Sequence, residues 1–123
     1  MPKTVKDLLA EASAIVPRIS QQDAARMLLD GAVLLDVRDA PEITATGKAE
    51  GAVSVSRGML EFRADPTSEL YDDRLKPDIP VIIYCAAGGR AALAGKTLKD
   101  LGYARVYNLG GFKDWVENGG AVA

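Results

Sequence analysis

The sequence predicts an α/β domain built on a mostly parallel sheet. Short apolar runs typical of strands alternate with helical patterns along most of the chain, as in consecutive β-α-β units. The run at residues 81–84 is apolar without interruption, as expected for a strand that is buried on both faces. With 123 residues, the chain is long enough for one domain with its own hydrophobic core.

Composition and charge exclude several classes of function. The net charge is −2 and no basic block occurs, so we expect no nucleic-acid partner. The apolar runs are too short to span a bilayer, so we expect no membrane partner either. The chain has one cysteine and no histidine, which excludes an intrachain disulfide, a Cys–His pair and an imidazole metal site. A free thiol suits a reducing compartment, so we expect a cytoplasmic protein without cofactor or metal.

The first predicted element is an amphipathic helix over residues 4–16, which Thr4 can cap and Pro17 ends. One face carries apolar residues at helical spacing: Val5, Leu8, Leu9, Ala12, Ile15 and Val16. Because this helix precedes the alternating pattern, we assign residues 1–17 to an N-terminal extension and residues 18–123 to the domain. We expect the helix to pack as an extra layer, with a dimer contact as the alternative, so the protein is a monomer or a homodimer.

The elements that follow alternate between helix and strand. Helical patterns with capping, proline or glycine signals cover residues 20–29, 39–47 and 59–63. Apolar strand patterns cover residues 32–37 and 51–55, and Arg18 with Ile19 forms a short edge strand at most. The polar residues 65–80 include three prolines, which predicts a surface connection.

The segment after the central strand carries the chemistry. Cys85 ends that strand, and the small residues Ala86, Ala87, Gly88 and Gly89 lead to Arg90 and a helix over residues 91–101. The first N–H groups of a helix lack partners and favour negative charge, and the glycines allow successive amides to point at one centre. Arg90 adds a positive charge. These features favour a thiolate, so we predict a nucleophilic Cys85, with a buried structural cysteine as the alternative.

The last predicted elements are a strand at residues 104–108, a turn at residues 109–111 and a helix. Phe112, Trp115 and Val116 share one face of this helix. In parallel sheets, functional sites form at the carboxyl ends of strands. Cys85 and the segment of residues 36–38 both fall at such ends, so we expect them at the same edge of the sheet.

Four segments, in this order, resemble the single-domain rhodanese family over about residues 19–119. They are residues 34–38 (Leu-Leu-Asp-Val-Arg) with Glu42, residues 46–52, residues 85–90, and residues 109–111 (Leu-Gly-Gly) with Trp115. The resemblance implies a rhodanese-like fold with a central five-stranded parallel sheet flanked by helices. It also implies a sulfurtransferase in which Cys85 takes a sulfane sulfur from a donor such as thiosulfate. The resulting persulfide passes that sulfur to cyanide or a cellular thiol.

The resemblance also assigns roles to individual residues. The loop residues would bind the substrate, namely Ala86, Ala87, Gly88, Gly89 and Arg90, while Asp36 and Arg38 would brace the loop. Lys48 stands where the family usually has a histidine, which we interpret as a structural position. Many members that use thiosulfate carry a cationic or polar side chain directly after the cysteine, where this chain has Ala86. Arg90, or else Arg57 or Arg63, would then have to bind a sulfonate.

Two other functions stay open. Cysteine phosphatases and arsenate reductases can share this fold, but their Cys-to-Arg loop is longer than the four residues between Cys85 and Arg90. A non-catalytic rhodanese-like binding or sulfur-carrier module is the second alternative, and the intact loop favours an enzyme over it. Without a second cysteine, sulfur must pass to another molecule. The expected partners are a small-molecule sulfur donor and a thiol, cyanide or sulfur-accepting protein.

Overall fold

Helices cover both faces of a parallel sheet in the computed structural model, which describes residues 1–123. The four strands are β1 (Val33–Asp36), β2 (Val53–Ser54), β3 (Val81–Cys85) and β4 (Val106–Gly111), in the spatial order β2-β1-β3-β4. All pairings are parallel. Every residue of β3 is buried, because this strand lies between β1 and β4 and has helices on both faces.

The helices follow the predicted pattern. They are α1 (Val5–Ile15), α2 (Gln21–Leu29), α3 (Ala40–Thr46), α4 (Leu60–Ala64), α5 (Gly89–Asp100) and α6 (Phe112–Glu117), with a short 3₁₀ turn at Arg57–Met59. Side chains alternate along β3, so Ile83 and Cys85 face a core shared with α4 and α5. Ile82 and Tyr84 face a second core, shared with α2 and α6. No helix combines the length and apolar character needed to cross a membrane.

The sheet has four strands, which corrects the five strands that the family resemblance implied. Arg18 forms only an isolated parallel bridge with Asn108. Ile19 N donates to Asn108 O at 3.2 Å, and Asn108 N donates to Pro17 O at 2.8 Å. The pairing goes no further because few residues separate α1 from α2, and Pro17 has no N–H to donate. The expected edge strand is therefore reduced to one bridged residue beside β4.

The C-terminal part differs from the sequence prediction at two places. Residues 109–111 continue β4 through Gly111 instead of forming a turn. The register between β3 and β4 shifts by one residue at Leu109, so that Gly111 pairs with Cys85. Val116 is exposed while Phe112 and Trp115 are buried, so the buried face of α6 is narrower than predicted.

The helix α1 forms an outer layer against α5. Ala12 and Val16 are buried, and Val16 packs so closely on Gly95 that an added Cβ there would lie 2.7 Å from Val16 Cγ1. Val5 and Ile15 are exposed, so only part of the apolar face is used within the chain.

Candidate active site

Main-chain N–H groups from the loop and the first turn of α5 converge on the sulfur of Cys85. Gly88 N donates to Cys85 Sγ at 2.9 Å, and Ala91 N donates to the same atom at 3.4 Å. Gly88 adopts a φ of +108°, a left-handed conformation that favours glycine and lets the chain turn from the loop into α5. Donors arranged in this way stabilise negative charge on the sulfur, or on an atom bonded to it.

The loop presents small side chains to solvent. Cys85 is only 1% exposed, whereas the flanking Ala86 and Ala87 are exposed and Gly88 is buried beneath them. The outer surface of the loop is therefore formed by methyl groups that add no charge, and Cys85 itself is buried. A surface cavity of about 670 Å³ lies between α2 and the C-terminal residues, and none of these loop residues lines it.

Strand β4 supports the loop from behind. A Cβ on Gly111 would lie 2.2 Å from the carbonyl oxygen of Ala86, so only glycine fits there. Asn108, which is buried, donates from Nδ2 to Gly88 O at 3.1 Å and accepts from Gly110 N at 2.8 Å. These contacts hold the two peptide groups that flank the one carrying the Gly88 N–H. The sequence predicted no site role for Asn108, and the adjacent glycines were its only signal of this support.

Arg90 is turned towards α3 and binds Glu42. Its Nη1 donates to Glu42 Oε1 at 2.6 Å and its Nη2 donates to Oε2 at 2.9 Å. These hydrogen bonds hold the pKa of Glu42 down at about 2 and raise the pKa of Arg90. The charge of Cys85 contributes further to the rise at Arg90, so the guanidinium lies within electrostatic reach of the sulfur. Its terminal nitrogens are nevertheless bonded to Glu42 and not to Cys85.

Asp36 and Arg38 form a buried ion pair at the end of β1. Arg38 Nε lies 3.1 Å from Asp36 Oδ1, and Nη2 lies 2.9 Å from Oδ2. Arg38 also donates to Thr46 Oγ1 and to Gly47 O, both at 2.9 Å, and its guanidinium lies 4.3 Å from the centre of the Phe112 ring. The pair therefore anchors the C-terminal end of α3.

Tyr84 connects this ion pair to the strand that carries the cysteine. Its hydroxyl donates to Asp36 Oδ2 at 2.6 Å and accepts from Ala49 N at 3.0 Å. Burial raises the pKa of Tyr84, and the hydrogen bond to Asp36 adds to the rise. Asp36 and Arg38 thus make their hydrogen bonds to α3 and Tyr84 rather than to residues 86–90. The sequence pattern predicted a role for the pair but not for Tyr84, whose apolar neighbours gave no sign of a hydrogen-bonded hydroxyl.

The other basic residues considered are placed as follows. The terminal nitrogens of Arg57 donate to Glu61 on α4 and to Thr97 on α5. Arg63 is exposed on α4. Lys48 donates to Ala52 O at 3.0 Å, a local contact away from the cysteine loop. Arg18 was not predicted to belong to the site, but it lies beside the loop, with Nη1 3.5 Å from the position of a Cβ on Gly88. No cluster of three or more His, Cys, Asp or Glu is placed to hold a metal ion.

A parallel sheet, a cysteine loop at its carboxyl edge and a buried Asp–Arg pair together define a rhodanese-like domain. Residues 20–118 match the family described as the rhodanese-like domain, and the chain belongs to that family. The match confirms the resemblance that the four sequence segments gave.

Three similar proteins are informative. The thiosulfate sulfurtransferase GlpE of Ectopseudomonas mendocina is 31% identical over 80% of this chain and 83% of its own length. The solved structure of a protein of unknown function from Rhodopseudomonas palustris, described as a possible tyrosine phosphatase, is 37% identical with a TM-score of 0.87. That match covers 100% of this chain and 99% of the other.

The third is the polysulfide-sulfur transferase homodimer from Wolinella succinogenes, which is 35% identical with a TM-score of 0.76. The match covers 96% of this chain and 85% of the other. The solved structures confirm the α/β fold. The names of two of these three proteins support the sulfurtransferase class.

Proposed function

We propose that this protein is a sulfurtransferase that carries a sulfane sulfur as a persulfide on Cys85. The donor is a compound such as thiosulfate, and the acceptor is cyanide or a thiol. The convergence of Gly88 N and Ala91 N on Cys85 Sγ is the observation that carries this proposal. Membership of the rhodanese-like family and relatives named for sulfur transfer support it.

In the first step, the Cys85 thiolate attacks the outer sulfur of thiosulfate. The bond between the two sulfur atoms of thiosulfate breaks, its electron pair leaves with sulfite, and the outer sulfur stays on Cys85 as a persulfide anion. The N–H groups that point at Sγ stabilise the charge that develops at this centre. The side chains that follow Cys85 are the small ones of Ala86 and Ala87, which add little bulk around the additional atom.

In the second step, the acceptor attacks the outer sulfur of the persulfide. The bond between that sulfur and Cys85 Sγ breaks, and its electron pair regenerates the thiolate. Cyanide leaves as thiocyanate and a thiolate leaves as a persulfide. Because the chain has no second cysteine, the acceptor is always another molecule, either a small thiol or a sulfur-accepting protein.

A cysteine phosphatase or arsenate reductase is the alternative raised by the description of the Rhodopseudomonas palustris protein. In loops that bind a phosphate or arsenate, an arginine frequently holds the anion through two parallel hydrogen bonds from its guanidinium. In this chain those nitrogens are bonded to Glu42, and the loop has only four residues between Cys85 and Arg90. Both observations favour sulfur transfer.

One experiment separates these functions. The protein is incubated with thiosulfate, its intact mass is measured, and cyanide is then added while thiocyanate is quantified. We expect a gain of one sulfur atom, its loss on cyanide addition, and neither event in Cys85→Ser. Loading without repeated turnover would indicate a carrier module. Hydrolysis of an aryl phosphate by the wild type but not by Cys85→Ser would indicate the phosphatase.

We also assign all of the chemistry to residues 18–123 and treat residues 1–17 as an extension that packs on the outer side of α5.

A catalytic thiol without a disulfide partner suits a reducing compartment, which supports a cytoplasmic location. The exposed Val5 and Ile15 on α1 fit either a monomer or a homodimer, and sedimentation velocity distinguishes the two.

A further inference from the structure

We propose that Glu42 determines which sulfur donors the site accepts, because it neutralises the only guanidinium that the cysteine loop itself carries. This inference rests on the proposed sulfurtransferase function. Glu42 acts through Arg90 and is therefore a positioning residue. The expected result is a site that disfavours the thiosulfate dianion and prefers donors of lower negative charge.

The geometry of the pair leaves Arg90 little capacity to bind an anion. Both terminal nitrogens of Arg90 are bonded to both carboxylate oxygens of Glu42, at 2.6 and 2.9 Å. The two side chains are equally half-buried, each 35% exposed. A sulfonate that approached Arg90 would therefore have to displace a carboxylate already held by two charge-assisted hydrogen bonds.

Glu42 is held in place independently of Arg90. Its Oε1 accepts from Asp39 N at 3.3 Å in the capping box of α3, and its carbonyl oxygen accepts from Thr46 Oγ1 at 3.1 Å. Arg38 in turn binds Thr46 and so fixes the far end of the same helix. The capping box and Arg38 thus hold the helix that carries the Glu42 carboxylate. Its position beside the loop therefore does not depend on Arg90 alone.

No other residue of the cysteine loop carries a positive charge that could bind the donor in place of Arg90. Ala86 and Ala87 form the exposed surface of the loop. Outside the loop, Arg57 is bonded to Glu61 and Thr97. Arg18 is the other cation beside the loop, on the flank formed by Gly88 and Gly110. Asp114 Oδ2 lies at the same position, 3.3 Å from a Cβ on Gly110. A thiosulfate dianion therefore meets an ion pair on one flank and a guanidinium beside a carboxylate on the other.

The kinetic test uses two donors of nearly the same shape. Methanethiosulfonate replaces one oxygen of thiosulfate by a methyl group and carries one negative charge fewer. With cyanide as acceptor, Glu42→Gln keeps the capping oxygen but loses the charge. We expect its KM for thiosulfate to fall about fivefold, its KM for methanethiosulfonate to fall less than about twofold, and kcat to change less than about twofold.

Three control variants show whether the effect comes from charge. Glu42→Asp restores the charge and should return the KM for thiosulfate to within about twofold of the wild-type value. Glu61→Gln removes a surface carboxylate that is paired with Arg57 and should change neither KM. In an Arg90→Ala background, Glu42→Gln should no longer lower the KM for thiosulfate. Equal effects on both donors, or an effect that persists without Arg90, would overturn the inference.

An alkylation assay keeps this inference distinct from the proposed function. Iodoacetate is an anion and iodoacetamide is neutral, and both modify Cys85 without any sulfur transfer. Glu42→Gln should raise the ratio of the iodoacetate rate to the iodoacetamide rate about fivefold. If the wild type transfers no sulfur but this ratio rises, the sulfurtransferase function fails while the electrostatic role of Glu42 stands. An unchanged ratio overturns that role whatever the enzyme does.

Discussion

The hydroxyl of Tyr84 donates a 2.6 Å hydrogen bond to Asp36 Oδ2, across the register position at which β3 pairs with β1. Asp36 is fully buried, and it also receives hydrogen bonds from the backbone N and the guanidinium of Arg38. A buried carboxylate is tolerated only when it is paired and hydrogen-bonded, and this one has both forms of compensation. Because Tyr84 precedes Cys85, the same network fixes the strand end from which the loop departs.

Tyr84→Phe should lower the free energy of unfolding by about 1–3 kcal/mol, because it leaves Asp36 and the N–H of Ala49 each without one buried partner. Urea unfolding measures the change. Tyr107→Phe, in the neighbouring strand β4, is the matched control and should shift the free energy by less than about 0.5 kcal/mol. Equal effects of the two variants would show that the Tyr84 hydroxyl contributes nothing specific.

Gly111→Ala should abolish most of the thiocyanate formation. The new Cβ would lie 2.2 Å from Ala86 O, so the loop or β4 must move, and overpacking of this kind costs about 1–3 kcal/mol of stability. Gly58→Ala is the control, because a Cβ at Gly58 has no neighbour within 4 Å. Activity and thermal unfolding are measured on both variants. A fully active Gly111→Ala would mean that the loop does not depend on close contact with β4.

Gly95→Ala should destabilise the packing of α1 on α5, because its Cβ would lie 2.7 and 2.8 Å from the two Cγ atoms of Val16. Val16→Ala removes those atoms, so the double variant should lose less stability than the two single variants added together. The expected coupling is on the order of 1 kcal/mol, measured by urea unfolding. Additive losses would show that the two residues do not press on each other in solution.

The ion pair of Glu42 and Arg90 should persist well into acid. The pKa of Glu42 in the folded protein is about 2, below its ordinary value of 4.5. A depressed carboxyl pKa stabilises the fold above the unfolded pKa, and the contribution is lost as the pH falls towards the folded value. The gap in urea midpoint between wild type and Glu42→Gln should therefore stay constant from about pH 8 to about pH 5 and shrink below that. A gap that closes between pH 7 and pH 5 would contradict the strong pairing.

Much of this arrangement was accessible from the sequence, for local reasons. The uninterrupted apolar run of β3, the capping residue Thr4 and the small residues after Cys85 each act on neighbouring residues, so their patterns predicted the strand, the helix and the loop. The likeness of four segments to one family supplied the fold. The local patterns and the four segments indicated the same topology, so the sequence predicted one fold and not several.

The parts that the sequence did not reveal depend on contacts between distant residues. Glu42 and Arg90 are 48 residues apart, and neither residue type indicates which partner it will have. The support from Asn108 follows from the register shift at Leu109, which only the paired strands define. The prediction of a fifth strand was wrong because Arg18 forms one bridge only, a limit set by the few residues between α1 and α2.

Hydrogen bonds hold the helix α3 at two points that are one helical turn apart. Glu42 binds Arg90, while Thr46 and Gly47 accept hydrogen bonds from Arg38. Since each residue turns a helix by about 100°, one residue inserted between positions 42 and 46 would rotate either Glu42 away from Arg90 or Thr46 away from Arg38. Over evolutionary time, exposed positions such as Thr44 and Ala45 can therefore exchange their side chains freely, whereas the number of residues in this turn must remain constant.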